Sequence, residues 1–314
     1  MRGARRHYAS LRYAGMNAHP LLQRTRRHAA TQGDWTAVAA VDYASHRQTF
    51  QADYARKCWR RLARRRAVAP VVARACWQRQ ARVLDVGCGL GDFTRELARA
   101  LPAASVVGLD VSADMVAHAR SANAHRRVAY AVADLAHDSP RDPALGAGSF
   151  SLATSTMALH WPGPDPAFLA GCYRLIAPGG VFVAGLHGKG SCEEGVAAFE
   201  KAAGLNLERL PTMFKRRSAA EWTKALGDAR FVGVEVDTRT VATRYASAAD
   251  AQRRLAAAWP PILSGHVPPA DVDALVAAAA RAILDGGGVM TSRLIEFSAS
   301  VPEVRYGVCD WFKK

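Results

Sequence analysis

A glycine-rich loop that follows a short apolar run carries the clearest chemical meaning in this sequence. Residues 85–91 read Asp-Val-Gly-Cys-Gly-Leu-Gly, and the apolar run before them ends at Val86. Glycines let a backbone turn tightly and approach a ligand closely, and the next helix points its N-terminal amides at the same place. The spacing is neither the GxGxxG of dinucleotide sites nor the GK[ST] of triphosphate loops. The pattern predicts a ligand site at the end of a buried strand.

Two aspartates end the next two apolar runs. Asp110 closes the run 105–110, and Asp134 closes the run 128–134. A carboxylate at the first position can accept both hydroxyls of a ribose, and a side chain at the second can reach an adenine amino group. Either aspartate alone is as well explained as a helix cap or turn residue. Their order after the glycine loop favours a nucleoside site.

Alternating strands and helices must position these groups. We predict strands at 82–86, 105–110, 128–134, 149–156, 181–186, 231–238 and 293–300. We predict helices at 34–66, 92–101, 112–123, 166–176, 218–226, 248–259 and 270–284. Strands separated by helices of 10–15 residues are typical of an α/β protein with a parallel sheet and helices on both faces.

The chain divides into five predicted segments. They are a basic and flexible tail at 1–33, a helical segment at 34–80 and a core at 81–187. A substrate cap that contains strand six follows at 188–291, and the last strand and C-terminus occupy 292–314. Met16 is an alternative start.

The net charge of +15 lies in the first quarter of the chain. Residues 1–82 hold 18 of the 42 lysines and arginines and three acidic residues, whereas the rest of the chain is balanced. Such a block fits a solvated helix face with a loose tail, or a surface that binds nucleic acid, an acidic protein or an anionic surface. A second basic run, Lys215-Arg216-Arg217, fits a solvated loop or a means of attracting an anionic substrate.

Composition excludes several classes of protein. Half of the residues are apolar and 22% are charged, which excludes disordered and collagenous chains. No apolar stretch is long enough for a membrane span, so no membrane partner is expected. The six cysteines form no CxxC pair, which argues against a metal site and for a reducing, cytoplasmic location.

Five motifs in order resemble a class I S-adenosylmethionine-dependent methyltransferase. They are DVGCGLGDFT, GLDVSADMVAHAR, AVADL, ALHW and YRLIAPGGVFV, between about residues 82 and 187. The segment 43–50 and the ALHW stretch are similar to trans-aconitate, juvenile-hormone-acid and malonyl-carrier-protein methyltransferases. The resemblance implies a Rossmann-like, seven-stranded, mostly parallel sheet with helices on both faces, N-terminal helices and a helical cap. It implies S-adenosylmethionine as cofactor, S-adenosylhomocysteine as product and no metal.

The resemblance also assigns site residues. The cofactor-binding candidates are Tyr43, Arg47, Asp85, Gly87, Cys88, Gly89, Gly91, Asp110, Val111, Met115, Asp134, Leu135 and Thr154. The substrate candidates are Gln48, Phe50, Gln51, Trp161 and Trp222. The catalytic candidates are His160 and Trp161, with His160 as a general base, a hydrogen-bond partner or a structural residue. Phe50 stands where several carboxyl methyltransferases have a glutamine that holds the substrate carboxylate.

Four functions remain open. The first is O-methylation of a carboxylate or hydroxyl on a small molecule, of the kind used in secondary metabolite biosynthesis. The second, methylation of RNA or DNA, is disfavoured because ALHW replaces an Asn-Pro-Pro-Tyr motif after strand four and the basic segment lacks interleaved aromatics. The third is a substrate carried by an acidic carrier protein, and the fourth is a cofactor-binding protein that methylates nothing.

Overall fold

The structure is a computed structural model that describes residues 49–137, 143–204, 206–207, 216–256, 259, 263 and 267–303. The side chains of residues 49, 50, 143 and 269 are not included in this description. The predicted tail at 1–33 and the candidates Tyr43, Arg47 and Gln48 lie outside the described residues, as does the side chain of Phe50.

Seven strands form one sheet in the order β3-β2-β1-β4-β5-β7-β6. Their bounds are β1 Arg82–Val86, β2 Ser105–Asp110, β3 Val128–Val132, β4 Phe150–Thr156, β5 Ile176–His187, β6 Val232–Arg244 and β7 Val289–Ser300. The first five strands are parallel, and β7 pairs antiparallel with both β5 and β6. The predicted seven-stranded, mostly parallel, Rossmann-like sheet is confirmed.

Nine α-helices flank the strands within the described residues. Their bounds are α1 Thr49–Leu62, α2 Ala69–Trp77, α3 Asp92–Ala100, α4 Ala113–Ala122, α5 Pro166–Leu175, α6 Glu193–Ala203, α7 Ala219–Asp228, α8 Ala248–Ala256 and α9 Pro269–Asp285. Polar caps start several of them: Ser112 accepts from the amide of Met115 at α4, and Asp165 caps α5. Ser218 and Glu221 form a reciprocal capping box at α7.

Sequence periodicity missed or misplaced the ends of several elements. Residues 34–48 of the helix predicted at 34–66 lie outside the described residues. The rest is described as α1, which ends at Leu62, followed by turns and the separate helix α2. Helix α2 lies in the predicted helical segment 34–80 but was not predicted as a helix of its own. Helix α6 was also missed, although Val196 and Phe199 have helical spacing and are both buried. Strand β6 runs to Arg244, six residues beyond its predicted end, because β7 pairs with it along that length.

Each face of the sheet carries its own core. One face packs Leu84, Leu109 and Phe182 against α5 and α7, and the other packs Val83, Val106 and Val183 against α1, α2 and α3. A third apolar cluster forms inside the C-terminal half, where Phe199 of α6 stacks on Trp259 at a centroid distance of 4.3 Å. The helices α6, α8 and α9 therefore have a core of their own.

Arginines in and just after α1 attach this helix to the two antiparallel strands, β6 and β7. Arg61 pairs with Glu296 of β7, whose side chain is only 4% exposed, and Tyr54 donates to the same carboxylate at 3.3 Å. Arg65 bonds Ser298 and pairs with Asp237 of β6. Part of the basic N-terminal quarter is thus used inside the fold.

Candidate functional site

A cleft of about 1320 Å³, open solvent at its mouth included, lies at the carboxyl ends of β1, β2, β3 and β4. Parallel α/β sheets bind ligands at this edge. Nine of the predicted cofactor residues line the cleft: Asp85, Gly87, Cys88, Gly89, Asp110, Val111, Met115, Asp134 and Leu135. The predicted substrate residues Gln51 and Trp161 line it as well.

The glycine loop forms one wall of the cleft. Gly87, Gly89 and Gly91 have φ values of 72°, 51° and 84°, which side chains disfavour. A Cβ on Gly87 would lie 2.3 Å from the Cβ of Ala158, and a Cβ on Gly91 would lie 2.6 Å from the Tyr130 hydroxyl. A Cβ on Gly89 would meet no atom within 4 Å. Gly87 and Gly91 therefore serve packing, and Gly89 presents bare backbone to the cleft.

Asp110 joins the glycine loop to the end of β2. Its carboxylate accepts hydrogen bonds from the amides of Gly89 at 2.8 Å and Ser112 at 3.0 Å. Burial raises the pKa of Asp110, and these amide donors act in the opposite direction. The carboxylate is therefore fixed in position at the cleft wall with acceptor capacity to spare.

Asp85 is a buried carboxylate within β1. It accepts from the hydroxyls of Thr94 at 2.7 Å and Thr154 at 3.3 Å. Burial raises its pKa to about 6, although both hydroxyls favour the charged form. Thr154, a predicted cofactor residue, is itself 1% exposed and does not line the cleft. Its hydroxyl therefore contacts Asp85 from inside the protein and not from the cleft.

Asp134 lies just after β3 and takes part in a turn. It accepts from the amide of Ala136 at 2.9 Å, and a ring nitrogen of His137 lies 2.9 Å from its other oxygen. The residue thus lines the cleft and holds the turn at once.

The segment after β4 forms the opposite end of the cleft. Thr156, Met157, Ala158, Leu159, Trp161 and Pro162 line it. Met157 has a φ of 56°, and its amide bonds the carbonyl of Gly185 at 2.7 Å. Gln51 and Ala55 of α1 close the cleft from the N-terminal side.

Besides Thr154, three other predicted residues do not line the cleft. His160 is 5% exposed, and burial lowers its pKa well below the usual value. Gly91 caps α3 rather than lining the cleft. Trp222 is fully buried in the core of the sheet, with its ring stacked 5.6 Å from that of Phe297. The prediction that Trp222 contacts substrate is therefore corrected to a packing role.

Sequence reasoning missed several residues that shape this site. Phe93, Met157 and Phe168 line the cleft, and Thr94, which is itself fully buried, donates to Asp85. Thr94 and Phe168 lie in the first turns of α3 and α5, each of which starts beside the carboxyl ends of the strands. The signal that points to them is their position at a helix start near a strand end.

Comparison with known proteins agrees with this geometry. A sequence model described as a methyltransferase domain matches residues 83–180. These residues form a class I S-adenosylmethionine-dependent methyltransferase domain. The predicted class is confirmed for this part of the chain, and with it S-adenosylmethionine as the cofactor of the domain.

Named relatives match about a third to a half of this chain. A trans-aconitate 2-methyltransferase from Deinococcus radiodurans is 39% identical over 101 residues, which are 32% of this chain and 36% of that protein. A malonyl-[acyl-carrier protein] O-methyltransferase from Methylococcus capsulatus is 29% identical over 167 residues, 53% and 58% of the two chains. The chain thus spans about a third to three fifths of the length of these relatives.

One solved structure resembles most of this chain in fold. The crystal structure of the [4+2]-cyclase SpnF has a TM-score of 0.50 and 20% identity, and the match covers 82% of this chain and 85% of that one. At this identity the likeness concerns the fold alone.

No group of three or more His, Cys, Asp or Glu in the described part of the chain is arranged to hold a metal ion. No helix among the described elements is both long and apolar enough to cross a membrane. The cytoplasmic location stays a prediction.

Proposed function

We propose that this protein transfers the methyl group of S-adenosylmethionine to an oxygen of a small molecule, either a carboxylate or a hydroxyl. The observation that carries the proposal is the fixed Asp110 carboxylate, which accepts from the amide of Gly89 at 2.8 Å at one end of a cleft that Trp161 lines toward the other. The Asp110 end suits a nucleoside with an attached amino acid, and the Trp161 end would hold the acceptor molecule.

The residues present fit the cofactor. Gly89 has open space where any side chain would stand, so a ligand can approach its backbone. Asp110 would accept from the ribose hydroxyls, and Asp134 with the backbone of Leu135 would meet the adenine edge. Asp85 and the glycine loop would hold the methionine part, where a carboxylate is paired with an ammonium group. Val111 and Met115 would pack on the nucleoside.

The chain's own contribution to the chemistry is alignment. When bound, the cofactor supplies an activated methyl group on its sulfonium. The walls of the cleft, Trp161 among them, would exclude water and aim the acceptor oxygen along the S–CH₃ bond. Alignment of this kind supplies up to ~7–11 kcal/mol of a barrier. Aromatic faces also suit a cationic sulfonium.

The two acceptor types differ in their need for a base. A carboxylate is ionised at pH 7 and needs none, whereas a hydroxyl must lose a proton. Burial lowers the pKa of His160 well below its usual value, so its imidazole is neutral but a weak base. It also does not line the cleft, and both facts support the carboxylate as the simpler acceptor.

Calorimetric titration with S-adenosylhomocysteine, followed by incubation of a host extract with methyl-labelled S-adenosylmethionine, tests the proposal. We expect tight binding and label in a small product that organic solvent extracts after acidification. Binding without any labelled product would instead support a cofactor-binding protein that methylates nothing. Absence of binding would overturn the assignment of the cleft.

A carrier-protein-bound acceptor is the second candidate. Exposed arginines cluster in sequence on and around α1 and α2: Arg60, Arg64, Arg66, Arg74 and Arg79. A relative of the chain is named for a substrate on an acyl-carrier protein. Label that migrates with an acidic protein, and is lost when these arginines are replaced by glutamine, would favour this candidate. Salt-dependent RNA binding that disappears on deletion of residues 1–33 would favour nucleic acid.

A further inference from the structure

Trp77, the last residue of α2, lies almost entirely in solvent. Its side chain is 85% exposed, whereas Val71 and Ala75 of the same helix are buried. Pro70 and Ala73 are exposed as well, and with Trp77 they recur at helical spacing. Helix α2 therefore carries a second apolar stripe, which faces away from the core.

The connections that precede β1, β2 and β3 lie side by side at the amino edge of these parallel strands. The amide of Ser105 donates to the carbonyl of Ala81 at 3.0 Å, and the amide of Val106 donates to the carbonyl of Arg127 at 2.8 Å. The cleft lies at the opposite, carboxyl edge of the same strands. Any ligand of the amino edge is therefore separated from the cleft by the length of the strands.

The end of α2 is part of this edge. The thiol of Cys76, next to Trp77, lies 4.0 Å from the carbonyl oxygen of Ala100, the last residue of α3. The guanidinium of Arg127, just before β3, donates to the carbonyl of Ala104, just after α3, at 2.8 Å. The ends of α2 and α3 and the start of β3 thus form one continuous surface.

Arginines give this surface a strong positive charge. Segments 69–82, 97–109 and 117–131 hold seven arginines and no lysine, aspartate or glutamate. Desolvation, followed by the charges of the arginines at 127, 126 and 99, lowers the pKa of His125, as expected where such charges crowd together. Four of the seven are exposed, and within the described residues their side chains form neither ion pairs nor hydrogen bonds: Arg74, Arg79, Arg99 and Arg126. We call Trp77 and these four arginines the amino-edge surface.

The sign of the charge selects an anionic partner from another molecule. Both ends of the chain beyond the described residues are basic themselves: residues 1–48 hold eight arginines and two aspartates, and residues 304–314 hold three basic residues and one aspartate. A second copy of the chain would bring a net charge of +15. Placing like charges against each other is unfavourable. Charge complementarity therefore requires an acidic occupant.

The apolar stripe of α2 favours a protein over a nucleic acid. Single strands are bound by a groove in which several aromatic side chains stack on successive bases, and the amino-edge surface has one aromatic residue on one helix. Tryptophan and arginine are the residues that dominate the centres of protein interfaces. The small exposed residues Pro70 and Ala73 also leave space beside Trp77 for a partner helix.

We propose that the amino-edge surface docks an acidic, amphipathic helix of a partner protein. Trp77 and the stripe before it would contact the apolar side of that helix, and the four arginines would pair with its carboxylates. Because the surface and the cleft lie at opposite edges of the strands, the partner would bind without covering the cofactor or the acceptor. The inference goes beyond the proposed function and does not depend on it.

The test measures binding of a fluorescein-labelled peptide of repeated Leu-Glu-Glu units to the full chain by fluorescence anisotropy. Polyglutamate serves as a probe with charge alone, and polyuridylate as a nucleic-acid probe. Trp77→Ala and Arg79→Gln are compared with Arg281→Gln, which removes one positive charge from an exposed position of α9, outside the surface. Thermal unfolding and S-adenosylhomocysteine affinity should be unchanged in all three variants, because each replaced side chain is exposed.

We expect the Leu-Glu-Glu peptide to bind more tightly than polyglutamate, with an affinity that falls as salt is added. Trp77→Ala should weaken this binding at least ~10-fold, Arg79→Gln ~2- to 5-fold and Arg281→Gln less than ~2-fold. S-adenosylhomocysteine should bind with the same affinity in the presence and absence of the peptide.

Several results would overturn the docking surface. They are equal effects of Arg79→Gln and Arg281→Gln, equal affinities for the peptide and polyglutamate, competition between the peptide and S-adenosylhomocysteine, or no peptide binding up to about 1 mM. Tighter binding of polyuridylate that requires Trp77 would assign the surface to a nucleic acid instead. A dimer in sedimentation that Trp77→Ala abolishes would assign it to a second copy. Failure of the unaltered protein to bind S-adenosylhomocysteine would overturn the proposed function alone.

Discussion

The carboxylate of Asp110 holds the backbone amide of Gly89 at 2.8 Å, so the end of β2 and the middle of the glycine loop form one unit. The same carboxylate accepts from Ser112 at the start of α4. Two amide donors leave lone pairs on both oxygens for a ligand. One side chain therefore shapes the loop and faces the cleft.

Replacement of Asp110 tests its role in cofactor binding. We expect Asp110→Ala to weaken S-adenosylhomocysteine binding by more than ~1.4 kcal/mol, since a charged acceptor and the support of Gly89 are both lost. Asp110→Asn keeps the shape and one acceptor, so it should show a smaller loss. Calorimetry measures both affinities. Equal affinity of Asp110→Ala and the unaltered protein would remove Asp110 from the ribose assignment.

Substitution of two glycines with similar φ values distinguishes the cost of backbone strain from the loss of ligand binding. Gly89 and Gly148 have φ values of 51° and 61°, and a Cβ on either meets no atom within 4 Å. Alanine at each should lower stability by a similar ~1–2 kcal/mol, because both positions are left-handed. Only Gly89→Ala should also weaken S-adenosylhomocysteine binding, since only Gly89 lines the cleft. Thermal unfolding and calorimetry give the two readouts, and a matching affinity loss in Gly148→Ala would refute the distinction.

Asp85 makes stability depend on pH. The pKa of Asp85 is about 6 in the folded protein, compared with 3.8 for an unperturbed aspartate. The folded state therefore binds this proton more tightly than the unfolded state. The resulting contribution to stability is fully present below about pH 3.8 and is lost as the pH rises through about 6. Asp85→Asn removes this penalty and should raise the free energy of unfolding above pH 7 by up to ~3 kcal/mol. The difference should vanish toward pH 4.

The same variant, Asp85→Asn, should weaken cofactor binding. Asparagine cannot pair with the ammonium group of the methionine part, so we expect S-adenosylhomocysteine affinity to fall while stability rises. In the unaltered protein that affinity should increase as pH rises through about 6. Denaturant unfolding and calorimetry at several pH values measure both. A pH-independent affinity would exclude Asp85 from the binding of charge.

Two arginines of α1 form ion pairs that differ in burial. Arg61 pairs with Glu296, whose side chain is 4% exposed, and Arg56 pairs with Glu96, whose side chain is 32% exposed. Arg61→Ala strands a buried carboxylate and should cost ~2–4 kcal/mol, less than a fully buried pair because Arg61 is itself a third exposed. Arg56→Ala should cost ~0–1 kcal/mol. Denaturant unfolding compares the two, and similar losses would mean that Glu296 is solvated or otherwise paired.

Local sequence predicted the strands of the core well. β1 and β2 start and end where the apolar runs start and end, because buried parallel strands are continuous apolar segments bounded by turns. The glycine loop and Asp110 were placed correctly at the cleft for the same reason: carboxyl ends of adjacent parallel strands meet at one edge.

Features that depend on contacts distant in sequence were not predictable. Helix α6 packs into the third apolar cluster, in which Phe199 stacks on Trp259, sixty residues away. Trp222 looked like a pocket aromatic, but the fold packs it on Phe297 of β7. An aromatic residue at helical spacing does not reveal which surface it will meet.

The sequence by itself determined the order of strands along the chain, the ligand loop and the class of chemistry, since each depends on residues within a few positions of one another. Only the tertiary structure decided that Thr94 and Thr154 hold Asp85, and that the His160 ring lies beside those of His187 and Trp161. These residues belong to or follow different strands and helices, and hydrogen-bond and ring partners become neighbours only when such distant elements pack.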